Sequence, residues 1–322
     1  RHLNSWRLLE ADSAFIRAIT LDSTFALAYH KRSLGLGWSG FGGPDYLATA
    51  QRASALADRL PPRERSLVEG HYHLAMALTA TSAGDTAVSR REYGASIAAY
   101  TELISRGDSL VAEAWNGLAD AYFHAAGGIP GQSADTIRAY VTRSLRGFHR
   151  TLAIDSTFHL AYSHLVQLYN QSSQGSNLLV DADSLIMYTD EQGVARLGGP
   201  AGIRRYRDAA ARRGIEIARA WARADSGSTQ PVLQLVQSYN AAGLPDSATA
   251  VLRRALNRPG TATPTIWLSL LSQQAATADT GLRTTLAHVL GQYNADSLRA
   301  ITVGSRMPLL ASMLTAAAML GR

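Results

Sequence analysis

Apolar residues along this chain recur at spacings of three and four, and no stretch keeps up the alternation of a strand. In 112–122 (AEAWNGLADAY) they fall on one stripe of a helix. Gly, Pro and Ser clusters at 40–44, 84–85, 127–131, 172–177, 198–202 and 259–264 punctuate the pattern. Between them the spacing predicts helices near 6–20, 24–37, 44–59, 62–80, 89–106, 109–126, 133–152 and 157–170. Further helices are predicted near 182–197, 201–224, 229–242, 245–257, 263–277, 281–293 and 307–320. The last, Pro308 to Leu320, is apolar nearly all round, so it is expected to tuck into a groove or dock on a partner.

The pattern repeats itself. FIRAITLDSTFALAY (15–29) and FHRTLAIDSTFHLAY (148–162) share nine of fifteen residues. Related copies are DSLVAEAWNGLADAY from Asp108 and VLQLVQSYNAAGLPDSATAVLRRAL from Val232. These segments resemble the tetratricopeptide repeat, a helix–turn–helix unit of 34 residues. Trp115, Leu118, Ala119 and Tyr122 match its first helix in order and spacing. Tyr239, Gly243, Ala248, Leu252 and Ala255 match the end of a first helix, the turn and a second helix. Ala11, Phe15, Ala18 and Leu21 match a second helix, and Tyr162 and Tyr169 another first helix. Small residues at such positions let paired helices approach closely, while bulky ones fill the space between units.

The resemblance implies an all-α fold: a right-handed α-solenoid of antiparallel helix pairs, irregular in its middle and C-terminal parts. The expected organisation is an N-terminal lobe over 1–170, a connector over 171–200 and a C-terminal lobe over 201–322 with the apolar closing helix. Where the family closes a unit with Asp-Pro, this chain writes Asp-Ser at 22–23, 108–109 and 155–156, residues suited to capping the next helix. The spacing of these pairs is not a multiple of 34, so long helices or inserted loops interrupt the array. The run Leu60-Pro-Pro-Arg-Glu-Arg is similar to a helix start in tetratricopeptide regions that follow bacterial serine/threonine kinase or cyclase domains. Pro62 and Glu64 suit a first helical turn. The chain itself has no kinase glycine loop, HRD or DFG.

Charge adds one feature. The formal net charge is +6, and arginine supplies every basic residue except Lys31. Eight arginines between 196 and 223, against Asp208 and Glu216, carry that surplus. Arg204, Arg205, Arg207, Arg212, Arg213, Arg219 and Arg223 form a candidate docking patch for an acidic surface, or a solvated face. Tyr206 and Trp221 are the only aromatic residues among them, too few for a stacking platform, which argues against nucleic acid. The absence of cysteine excludes disulfides, thiolate zinc sites and cysteine nucleophiles. No run is long enough to span a membrane. The chain opens at Arg1, which leaves room for a signal peptide, an anchor or an upstream domain.

Local chemistry is sparse. Gly35-Leu-Gly-Trp-Ser-Gly40 spells GxGxxG, but it follows a helix rather than a strand, so it reads as a turn. His71 and His73 point apart on a helix, His159 and His164 are five residues apart, and HExxH and GxSxG are absent. No catalytic residue, metal site or cofactor is expected. The remaining candidate surface is the groove that first helices line in the tetratricopeptide family. Carried over unit by unit, its positions are His30; Asn116, Asp120 and His124; Ser163, Gln167 and Asn170; Gln237 and Asn240. Polar residues there suit hydrogen bonding to a peptide.

The function expected is a non-catalytic interaction scaffold that binds a protein partner through the groove, or docks as an extrinsic subunit of a larger, membrane-embedded assembly. Two alternatives stay open: the sensor region of a membrane-anchored kinase or cyclase, and a superhelix for lipid or a small molecule. Arginine bias and the Asp-Ser pairs point to a bacterial protein, periplasmic or membrane-peripheral rather than cytoplasmic.

Overall fold

The computed structural model describes residues 3, 6–39, 43–107, 111–181, 184–187 and 191–293. The Asp108-Ser109 pair, Gly40 and the apolar stretch 308–320 lie outside the described residues. The chain divides into two compact units, residues 1–210 and 211–322.

Unit 1 is built from consecutive helix pairs: α1 (Leu8–Leu21) with α2 (Ala26–Trp38), α3 (Pro44–Ala55) with α4 (Pro62–Ser82), α5 (Thr86–Ser105) with α6 (Ala112–Gly128), and α7 (Ala134–Ile154) with α8 (His159–Ser173). Short connections force each pair to run antiparallel. The second member of each pair also meets that of the next, α2 against α4 and α4 against α6. This is the all-α array of helical hairpins that the periodicity predicts.

The repeated sequence gives a repeated turn. Asp22 and Asp155 end α1 and α7 with φ/ψ of −141°/98° and −140°/99°. Each carboxylate accepts the backbone N–H and the hydroxyl of the Thr two residues on, at 2.8 and 2.7 Å in the first copy and 2.9 and 2.7 Å in the second. The aspartates therefore tie an Asx turn rather than cap the next helix, and Phe25 and Phe158 stand at the N-cap positions without a side-chain bond.

The α4–α5 connection is a different device. Gly84, at φ +77°, ends α4 with Asp85 N–H donating to Ala80 O and Gly84 N–H to Thr81 O. The Asp85 carboxylate then accepts Val88 N–H at 3.0 Å and caps α5. Asp85→Ala is expected to cost about 1 kcal/mol, read as a lowered midpoint in urea unfolding.

Close packing rests on small residues. Gly147 on α7 lies against Ala119 on α6 so tightly that a Cβ at 147 would sit 2.8 Å from the alanine methyl. Ala119 is the small consensus position read from the sequence, and it is fully buried. Leu74, Ala77, Tyr93, Ala121, Ala125 and Ile129 fill the space between α4, α5 and α6. A second cluster, Leu67, Tyr100, Leu103, Val111 and Ala114, lies toward the other end of the same helices.

After α8 the chain forms an antiparallel hairpin, β1 (Leu178–Asp181) with β2 (Ser184–Met187), in register from Leu178↔Met187 to Asp181↔Ser184. The spacing predicts a helix over 182–197; only α9 (Glu191–Arg196) of that range is helical among the described residues. Leu179, Val180 and Leu185 are buried, β1 packs on α8 and β2 on α7. Val180 N–H donates to Ser172 Oγ at 2.9 Å, which fastens the hairpin to α8.

The long helix α10 (Gly199–Ala224) follows. Unit 2 continues with α11 (Thr229–Ala241) paired with α12 (Pro245–Leu256), and α13 (Pro264–Thr277) with α14 (Leu282–Gln292). The α11–α12 turn repeats the α4–α5 device at Gly243, φ +69°, with Leu244 N–H on Tyr239 O. Its core includes Ala248, Leu252 and Ala255, three of the matched consensus positions, together with Trp221, Leu271, Leu282 and Leu286. Among the described residues no helix is long and apolar enough to cross a membrane.

Candidate functional site

On α6 the polar residues Glu113, Asn116, Asp120 and His124 follow one another at spacings of three and four, so they share one face. Polar residues of α2 and α8 meet that face, and α4 packs beside it. The groove positions read from the sequence are therefore for the most part inside the unit. His30, Asn116, Asp120 and Asn170 are 2%, 4%, 8% and 8% exposed. His124 and Ser163 are half-buried and Gln167 is exposed.

At one end of the wall, His30 Nε2–H donates to Glu113 Oε1 at 3.0 Å, and the Lys31 ammonium contacts the same oxygen. Burial would raise the Glu113 pKa, but Lys31 and His30 hold it well below the usual carboxylate range. His71 on α4 meets the His30 ring edge-on, with centroids 5.3 Å apart. Ser33 spends its hydroxyl proton on Tyr46 O at 3.0 Å, so His71 Nε2–H donates to Ser33 Oγ at 2.9 Å. Burial pushes the His71 pKa down to about 3 and that of His30 below its ordinary value. Both imidazoles are neutral, and the Nδ1 lone pairs of both are buried without a hydrogen-bond partner.

Farther along α6, Asp120 Oδ1 accepts His164 Nε2–H at 2.9 Å, and His124 Nε2 stands 3.3 Å from the same oxygen. Burial would raise the Asp120 pKa; His124 and His164 outweigh it and hold the carboxylate well below its ordinary range. The His164 ring is stacked on Phe123 with centroids 4.1 Å apart and flanked by Trp38 at 4.7 Å and Phe148 at 5.2 Å. Burial in this aromatic setting lowers the His164 pKa, while Asp120 and Gln167 pull it up. Trp38 belongs to α2 and His164 to α8, so the first and last pairs of the array touch across this wall.

His164 is a site residue that its sequence neighbourhood did not offer. Its partner lies 44 residues away on another helix. The one available signal was the i, i+4 spacing of Asp120 and His124, which puts two donors side by side on α6.

The wall opens at its Glu113 end. A pocket of about 420 Å³ is lined by Leu34, Val111, Ile154, Phe158 and Leu160 together with Lys31, Arg63, Glu113 and Asp155. Its sides come from α2, α4, α6, α7 and α8.

In unit 2, Gln237 is exposed, and the exposed Asn240 exchanges two hydrogen bonds with Gln273 of α13, at 2.9 and 3.0 Å. On α10 the arginines keep to the solvent side: Arg204, Arg205, Arg212, Arg213, Arg219 and Arg223 are exposed, and Arg207 is half-buried. Arg213 Nη1–H donates to Glu216 at 2.8 Å, and the Arg219 guanidinium donates to the Tyr239 hydroxyl at 3.1 and 2.5 Å.

No family model matches the chain, and no curated protein matches it. Among solved structures the chain is similar to the crystal structure of TTC0263, a thermophilic TPR protein of Thermus thermophilus. The two share 15% identity, with 76% of this chain and 99% of that chain covered and a TM-score of 0.39.

Proposed function

We propose that the chain is a non-catalytic protein-interaction module, and that unit 1 takes a segment of a partner polypeptide at the open end of its helix array. The observation that supports this reading is the pocket between α2, α4, α6, α7 and α8. Its apolar lining fits an aliphatic or aromatic side chain; Lys31 is matched by Glu113, and the exposed Arg63 offers a cation at the rim to an acidic neighbour. The tetratricopeptide-like positions Trp115, Ala119, Tyr239 and Leu252 support the same reading, because the helical pairs they build present such surfaces. The exposed arginines of α10 would add a second, electrostatic contact, suited to an extrinsic subunit on an acidic assembly.

The test is affinity capture with the tag-bearing chain from membrane and cytosolic fractions, with bound chains identified by mass spectrometry. A stoichiometric companion in the membrane fraction supports the extrinsic-subunit form of the reading. Recovery of the chain alone from both fractions contradicts it. Arg63 is exposed and outside the packed wall, so Arg63→Glu should fold normally and reduce companion binding at least about tenfold. Replacing Arg204, Arg205, Arg212 and Arg213 with Gln should flatten the salt dependence of binding. An unchanged salt dependence removes the α10 arginines from the interface.

A further inference from the structure

We propose that Asp120, His124 and His164 form a binding site for a divalent transition-metal ion of the zinc and cobalt class, on the inner wall of unit 1. Among the described residues they are the one group in which three such donors converge, with one ligand atom from each lying within 4.8 Å of the others. His30–Glu113 and His73–Glu92 bring imidazole and carboxylate together as well, but each has a single imidazole.

Two of the three separations are close to those an ion sets, and the third is within 4.8 Å. An ion held at about 2.0–2.1 Å by nitrogen and oxygen in a tetrahedral shell sets its ligand atoms about 3.3–3.4 Å apart. Asp120 Oδ1 is already 2.9 Å from His164 Nε2 and 3.3 Å from His124 Nε2. Loading the site requires each imidazole to carry its proton on Nδ1 instead of Nε2, which frees both Nε2 lone pairs for the ion, with the rings turning about a shared centre. Two imidazoles and one carboxylate, with no thiolate, select zinc, cobalt, nickel or copper over calcium and magnesium, which prefer all-oxygen shells.

The scaffold around the donors is stiff. Asp120 and His124 are one turn apart on α6, so their spacing is fixed by the helix. His164 is held from α8 in a stack with Phe123, against Trp38 and Phe148. His124 is 33% exposed in its side chain, which gives an ion a way in and leaves the fourth coordination position for water or a partner's side chain.

The experiment uses the full, tag-free chain, stripped with a chelator and titrated with cobalt(II) chloride while the visible spectrum and the melting temperature are recorded. The expected result is saturation at one equivalent, intense visible bands of a four- or five-coordinate ion, and displacement by zinc. A melting temperature higher by about 5 °C should accompany metal at a hundredfold excess over its Kd. His124→Gln should weaken cobalt binding by more than about 100-fold, since supporting residues alone are worth 10–100-fold. His124 is partly exposed, so this variant should keep the fold, checked by circular dichroism; Asp120→Asn is the second arm. Failure of the parent chain to take up one equivalent of cobalt overturns the proposal. So does a His124→Gln variant that folds and binds cobalt as tightly as the parent.

Discussion

Gly117→Ala is expected to destabilise unit 1 by about 2–3 kcal/mol and lower its melting temperature by about 5–10 °C. On a helix alone the change should stabilise by about 1 kcal/mol, because alanine is the better helix former. Packing reverses the sign. A Cβ at 117 would lie 2.3 Å from Tyr100 Cζ and 2.7 Å from its hydroxyl oxygen. The ring cannot retreat, because the other wall of its slot is Gly70 on α4, where a Cβ would come within 2.7 Å of the same ring. Tyr100, on α5, is thus wedged between two glycines of α4 and α6 and is 3% exposed. The pair is coupled: in Gly117→Ala/Tyr100→Leu the losses should fall short of the sum of the single variants by at least about 1 kcal/mol. Gly94 is the control. It is exposed on α5 with nothing within 4 Å of a built Cβ, so Gly94→Ala should stabilise by about 0.5–1 kcal/mol. Urea unfolding followed by circular dichroism reads all four. Destabilisation at 94 equal to that at 117 would show that the Tyr100 slot is not the cause.

Acid should begin to destabilise unit 1 before its carboxylates titrate. His71 has an ordinary pKa of 6.5 and is held at about 3 in the folded chain. The unfolded chain therefore binds more protons between those values, and stability falls as pH drops from about 6.5 toward 3. Above about 6.5 the group is neutral in both states and its effect on stability is flat. The slope reaches about 1.4 kcal/mol per pH unit for each fully neutral buried imidazole, and His30, shifted in the same direction, adds to it. The groups that face His71 are His30, Tyr46 and, farther off, Asp120, Glu113 and Lys31. None supplies a carboxylate in contact with its ring, so burial dominates. Glu113 acts in a lower window. Its folded pKa is depressed, so its contribution is complete above about 4.5 and is lost as pH falls below that. Chemical denaturation at half-unit steps from pH 8 to 4 should show a plateau and then a decline. His71→Gln keeps a hydrogen-bonding group near Ser33 and should make the decline shallower by about one histidine's slope. Stability that is flat down to pH 5 would mean that His71 and His30 are not buried as neutral rings.

Much of this was legible in the sequence, for a physical reason. A helix that packs on one side leaves a period in its apolar residues, and the described helices fall close to the intervals read from that period. The DSTF repeat foretold a repeated turn, because identical residues with identical neighbours settle into the same dihedral angles. The hairpin at 178–187 was not legible. Leu178–Val180 and Leu185–Met187 are apolar runs of three, too short to separate a strand from a turn of buried helix. The setting of the polar wall was legible in part. Asp120 and His124 were carried over as groove positions from the tetratricopeptide resemblance, yet a polar residue aimed at a neighbouring helix has the same sequence signature as one aimed at water. His30 and Asn116 read as open-groove positions for that reason. His164 gave no local sign at all, since what defines it are Phe123, Trp38 and Asp120, brought together only by the stacking of α2, α6 and α8.

That stacking is the claim on which the polar wall, the pocket and the three-donor cluster all depend. Nuclear Overhauser contacts between aromatic protons of Trp38 and His164, in a chain labelled selectively at tryptophan and histidine, test it most directly. The expected result is a cross-peak between the two rings, whose centroids are 4.7 Å apart, that vanishes in Trp38→Leu. A histidine ring with no contact to Trp38 or Phe123, titrating near 6.5 as an exposed imidazole does, would contradict it.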